Sequence, residues 1–251
     1  MNLSFYSFRA INLCLVALLS SVLVFSCNND STDVDTPADD FELTEEQAAQ
    51  LVETALQSNA QGLTADMETA AREVDQLKSM DPVPCGTPFD STYNFSFTGN
   101  YLTADYSIST SLTAFCGGPL NLISFLEVSS AVEGSYTTPR MQSEDSSTGQ
   151  LTLGNIIQGT AYVISGNYSR TGTQIIERRN RSNSFNTQID INYENININK
   201  FNFRIDSGQA DFTISGSSAF GRSIDIVGEI TFLGDGQALV IINGNQYQIS
   251  L

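Results

Sequence analysis

From residue 89 to the C-terminus, apolar and polar side chains alternate with a period of two, and helical runs are few. A chain patterned this way buries one face of a sheet and wets the other. Tyr93, Phe95 and Phe97 are apolar at odd positions, while Leu102, Ala104, Tyr106, Ile108 and Leu112 are apolar at even ones. A hairpin turning at Asn100-Tyr101 sets Phe97 against Ala104, Phe95 against Tyr106 and Tyr93 against Ile108, with both apolar sets on one face.

Three more hairpins register in the same way. Phe201, Phe203 and Ile205 face Ile214, Phe212 and Ala210 across Asp206-Ser-Gly-Gln209. Ile230 and Phe232 face Val240 and Ala238 across Gly234-Asp-Gly236. Val240 and Ile242 face Ile249 and Tyr247 across Asn243-Gly-Asn-Gln246. Short links between sequential strands predict an antiparallel meander of about ten or eleven strands. A loose recurrence, Phe97-Thr-Gly-Asn-Tyr101, Val132-Glu-Gly-Ser-Tyr136 and Ile164-Ser-Gly-Asn-Tyr168, places glycines in or at the ends of strands. Such glycines mark bends in a curved sheet. The expected fold is α+β, mainly β: a curled sheet, half-barrel or barrel, with a two-sheet sandwich as the alternative.

Before the strands lie two helix signals in residues 42–81. Thr44-Glu-Glu-Gln47 is a capping box, and Ala48, Leu51, Val52, Ala55 and Leu56 then share one face. Asn59-Ala-Gln-Gly62 is a stop, after which Leu63, Met67, Ala70, Val74 and Leu77 recur at alternating spacings of four and three. Two helices packed on the apolar face of the sheet are predicted, forming one globular unit with residues 82–251.

Four cysteines have three expected fates. Residues 1–26 hold one basic side chain, Arg9, ahead of a broken apolar stretch, as a secretory signal does, and Cys14 leaves with it. Cys85 and Cys116 sit in matching turns, Cys85-Gly-Thr-Pro88 and Cys116-Gly-Gly-Pro119, and the first hairpin's register brings them together. In an exported chain a disulfide is the default for such a pair.

Cys27 follows Val24-Phe25-Ser26, and here the chain resembles bacterial lipoproteins of the Gram-negative outer membrane. Val24, Ser26 and Cys27 match the aliphatic, small and invariant cysteine positions of their lipobox, while Phe25 is bulkier than usual. The resemblance implies cleavage before Cys27, diacylglyceryl on its sulfur and a further acyl chain, such as palmitate, on the new N-terminus. It also implies an outer-membrane address, on the periplasmic or the surface face. Several acyl chains, at about 0.8 kcal/mol per buried methylene, anchor a protein durably. Residues 27–41 are acidic and polar and are read as the tether between lipid and domain.

The formal net charge is −17, which repels nucleic acid. Residues 27–81 alone carry 14 acidic and 2 basic side chains. With no histidine in the chain, a Ser-His-Asp triad and a Cys-His pair are excluded, and no cofactor or metal is expected. Arg178, Arg179 and Arg181 form the one cationic cluster, a candidate anion site whose alternative is a soluble hairpin tip. Asp190, Asn192 and Glu194 alternate with Ile189, Ile191 and Tyr193, as the solvent face of a half-buried strand does. The expectation is a non-enzymatic envelope lipoprotein, a binding or structural module for a glycan or protein. Its alternatives are a carrier of an apolar ligand within the curled sheet and, less favoured, a carboxylate-based glycan hydrolase.

Overall fold

The computed structural model describes residues 42–80, 84–178 and 181–251, apart from the side chains of Arg178 and Arg181. All of them belong to one compact unit, Asp40–Leu251. Cys27 and the segments expected to be signal and tether lie outside the described residues.

The Thr44 capping box opens α1 (Glu45–Leu56), where the Thr44 hydroxyl accepts from the Gln47 amide and the Gln47 side chain accepts from the Thr44 amide. After a 3-10 turn at Ser58–Ala60, Gly62 caps α2 (Leu63–Leu77). Every apolar residue of the two predicted stripes is buried. Burial of each large aliphatic side chain among them contributes about 1.5–3 kcal/mol, far more than helix propensity supplies.

Ten strands follow: β1 (Pro88–Thr98), β2 (Thr103–Gly117), β3 (Leu122–Thr137), β4 (Met141–Gly154), β5 (Ala161–Arg178), β6 (Arg181–Asn199), β7 (Ile205–Ser218), β8 (Ser223–Gly234), β9 (Gln237–Ile242) and β10 (Asn245–Ser250). They form a single antiparallel sheet in sequence order, with β1 and β10 as its two edges. One sheet in this order is neither a sandwich nor a closed barrel. It curls around the helices, because α1 meets strands far apart in the order. Thr54, near its C-terminus, bonds to Tyr136 of β3 and Arg170 of β5, while Glu45 and Glu53 bond to β10. Glycine allows the tight pairing this curvature needs: a Cβ on Gly134 would lie 2.5 Å from the ring of its cross-strand neighbour Tyr106.

The first hairpin has the predicted register, with Phe97, Phe95 and Tyr93 opposite Ala104, Tyr106 and Ile108. The pairings of Ile230 with Val240 and of Phe232 with Ala238 also stand. Two registers differ from expectation. Asp206 to Gln209 are not a turn but part of β7, and Phe201 and Phe203 lie in the link from β6 to β7. Ahead of that link β6 carries a bulge, where Asn195 takes a positive φ of 57° and the pairing shifts between Glu194 and Asn197. Inward positions switch there from odd (Ile189, Ile191, Tyr193) to even (Ile196, Ile198). The Asn199 and Asn202 side chains then accept from the amides of Phe201 and Arg204 and close the turn two residues further on. At the last hairpin Tyr247 pairs with Val240, and Ile249 with Ala238, a slip of two that leaves the buried face unchanged. Asn243 and Gly244, with φ of 50° and 83°, make a two-residue turn where a longer one was expected.

Cys85 and Cys116 are joined, with their Cα atoms 5.6 Å apart. The bond ties the entry of β1 to β2, which matters because β1 is an edge strand whose residues are mostly exposed. On the chain-entropy model a loop of this size is worth about 3–4 kcal/mol. Replacing both cysteines with serine is expected to lower the unfolding free energy by about that amount in urea titrations. An unchanged midpoint would mean that β1 is held by its ladder alone.

Candidate functional site

The concave face is occupied by the helices, so the cavities lie where helix and sheet part. One, of about 270 Å³, opens between α2 and the first three strands. Its floor is a lattice of cross-strand rows. Phe89, Leu112 and Val128 form an apolar row, and Ser91, Thr110 and Ser130 form a hydroxyl row beside it. The Ser91 and Thr110 hydroxyls are 2.8 Å apart. Tyr93 closes the next row. The opposite wall is α2, through Asp66, Thr69, Ala70 and Glu73, whose spacing of three and four turns them to one side of the helix. Phe89 and Tyr93 stand at 63% and 41% exposure, so two aromatic rings border the mouth.

Asp66 is the chemically distinctive group. Its Oδ2 accepts from the Ser130 hydroxyl at 2.5 Å and rests over Gly149 of β4, where a Cβ would come within 2.7 Å of that oxygen. Among the described residues no lysine or arginine lies within ion-pair distance of it. Burial raises its pKa to about 6, against the opposing pull of the Ser130 hydrogen bond. The Tyr93 phenol is raised too, by burial first and then by Asp66 and Glu73. The pocket therefore offers a titratable carboxyl, a second acid, a row of hydroxyls and two aromatic walls.

A larger hollow of about 590 Å³ lies at the start of α1, among Thr44, Glu45, Gln47, Arg140, Glu177 and Tyr247. Several of its polar groups already bond within the chain: Glu45 accepts from Asn243, Asn245 and Tyr247, and Thr44 and Gln47 cap each other. It is the weaker candidate despite its size.

No protein-family model, curated protein or solved structure matches this chain.

The residues singled out from sequence fall in other places. Arg178 and Arg181 are backbone partners at the end of the ladder between β5 and β6, and Arg179 lies outside the described residues. Asp190 and Glu194 point away from the helices on the outer face of β6, with Asp190 held by Gln188, so they form no cleft. Arg170, close to that arginine cluster in sequence, points the other way and is buried under the helices. Asp66 went unremarked in the sequence because it reads as one more charge on an amphipathic helix. A signal was present: Asp66, Ala70 and Glu73 fall on the same side of α2 at spacings of four and three, so one edge of its apolar stripe carries acids. Among the described residues, no three acids or cysteines are grouped to hold a metal ion, and no helix is long and apolar enough to cross a membrane.

The raised carboxyl has a consequence for stability. Below about pH 3 Asp66 is protonated in the folded and unfolded chains alike. As pH rises to about 6 the unfolded chain ionises first, so folding loses up to about 3 kcal/mol from this group. Asp66→Asn removes the penalty. Its gain in unfolding midpoint over the parent is expected to be near zero at about pH 3 and to grow to a plateau by about pH 7. A parent that becomes the more stable of the two as pH rises would contradict this environment for Asp66.

Proposed function

We propose that the chain is a non-enzymatic lipoprotein of the bacterial envelope, anchored to the outer membrane through Cys27, whose folded part binds a small ligand in the α2 pocket. The observation that carries the binding role is the joining of apolar wall, hydroxyl row and unpaired carboxyl in one cavity at the open side of the sheet. Binding sites have this composition: mostly apolar walls with a few convergent polar groups, one of them with a shifted pKa.

Binding is favoured over glycan hydrolysis by where the acids stand. Asp66 and Glu73 share a pocket, but both project from one helix, about 10 Å apart along its axis. A glycosidase pair flanks the scissile bond from two sides. A carrier holding a large apolar ligand within the curl is disfavoured because Leu51, Val52, Leu56, Met67 and Val74 fill that space. The address rests on the Val24-Phe25-Ser26-Cys27 motif.

Cells fed an alkynyl palmitate are expected to label the parent protein and not Cys27→Ala. A thermal-shift panel of small amines, sugars and apolar compounds on the Cys27→Ala protein should return stabilising hits that disappear in Phe89→Ala/Tyr93→Ala. Hits that survive the double substitution, or a blank panel, would count against the pocket. Equal labelling of both chains would count against the anchor.

A further inference from the structure

We propose that the α2 pocket takes a small organic cation, an amine on an aromatic or apolar body, with Asp66 as its counter-ion. This rests on the reading of the pocket as a ligand seat and names the class of ligand.

The two acids with the least exposed side chains in the ion pairs of the fold, Asp145 and Glu68, are held by arginines. Asp145 is paired with Arg170 at 2.9 Å. Glu68 lies 3.2 Å from Arg72 and 3.8 Å from Arg204. Asp66 has one hydroxyl and no cation among the described residues. A carboxylate withdrawn from water without a counter-charge is unfavourable, and a bound ammonium removes that penalty. A neutral polyol would satisfy the hydroxyl row but leave the charge of Asp66 uncompensated.

Three further observations point the same way. The pocket lining includes Asp66 and Glu73 and no lysine or arginine, so an anionic ligand is repelled. Phe89 and Tyr93 border the mouth, where ring faces attract a cation and shelter an apolar body. The volume of about 270 Å³ equals about nine waters, which suits a body of about ten non-hydrogen atoms.

Binding of this kind depends on pH. The groups that face Asp66 are Ser130 from β3, Tyr93 from β1, Tyr168 from β5 and Tyr193 from β6, with Glu73 on α2 itself. The tyrosines are all held above their ordinary pKa by burial and stay neutral, so Asp66 is the group that switches. It accepts a cation as the carboxylate and releases it on protonation.

The test is calorimetric titration of the Cys27→Ala protein with phenethylammonium chloride and with its neutral analogue 2-phenylethanol. At about pH 7.5 the amine is expected to bind at least about tenfold more tightly than the alcohol, and to lose about tenfold at about pH 5 while the alcohol is unchanged. Asp66→Asn should reduce amine affinity by about tenfold or more, with its melting temperature confirming that it folds. Alcohol binding as tight as amine, or an amine affinity indifferent to Asp66→Asn, overturns the cation assignment. If neutral compounds then bind and are lost in Phe89→Ala/Tyr93→Ala, the pocket stands and only its ligand class is wrong. If no compound binds, the pocket and the assignment fall together.

Discussion

The guanidinium of Arg170 is the contact through which the sheet holds its helices. It projects from β5 into the concave face and is only 5% exposed. One nitrogen donates to the Thr54 carbonyl at 2.9 Å and to the Ala60 carbonyl at 3.3 Å. The other donates to both Asp145 oxygens, at 2.9 and 3.0 Å, and to the Tyr106 hydroxyl. Tyr106 in turn donates to Asp145, its phenol kept neutral because burial raises it against the pull of Arg170. The last turn of α1 has no basic residue of its own, so a strand supplies the cation that the carbonyl end of the helix favours. Lysine, a point charge, cannot reproduce this fork. A buried arginine and aspartate replaced together by apolar groups would leave two carbonyls without donors.

The pocket depends on this seating and on a second tie. Its helical wall is α2, which follows α1 after only the short turn ending at the Ala60 carbonyl that Arg170 holds. Its outer wall is β1, tied at its entry by Cys85 and Cys116. Between these ties α2 lies over β3 to β6 but leaves the inner residues of β1 uncovered, and the cavity is the gap that results. The opposite edge is treated differently: Glu45 and Glu53 of α1 bond to β10, so that edge is closed by the helix.

Alternation made most of the fold legible from sequence, and its failures have a local cause. The capping box, both apolar stripes, the first hairpin and the cysteine pair follow from spacing alone, because each is a contact between near neighbours in the chain. The β6–β7 turn was misplaced because Phe201 and Phe203 read as part of an apolar strand, whereas β6 ends at Asn199 and the Asn199 and Asn202 side chains close the turn there. The final register slipped by two because Asn243-Gly244 closes more tightly than the four-residue turn assumed, a change that parity cannot detect. Arg170 was legible in hindsight. It shares parity with Ile164, Tyr168 and Ile176, a charge on an otherwise apolar face, and Asp145 shares parity with Met141, Leu151 and Leu153. The pocket was not legible, because its walls come from α2 and from strands whose distance from it is set by the curl of the whole sheet.

Hydrogen exchange on Arg170→Lys tests the central claim most directly, since lysine keeps the charge opposite Asp145 and removes the fork. If Arg170 seats the helices, amides of α1 and α2 lose protection by at least about tenfold while those of β5, β6 and β7 exchange as in the parent. Helical amides that exchange at the parental rate would show that apolar packing alone holds α1 and α2 in the sheet, and would contradict the account.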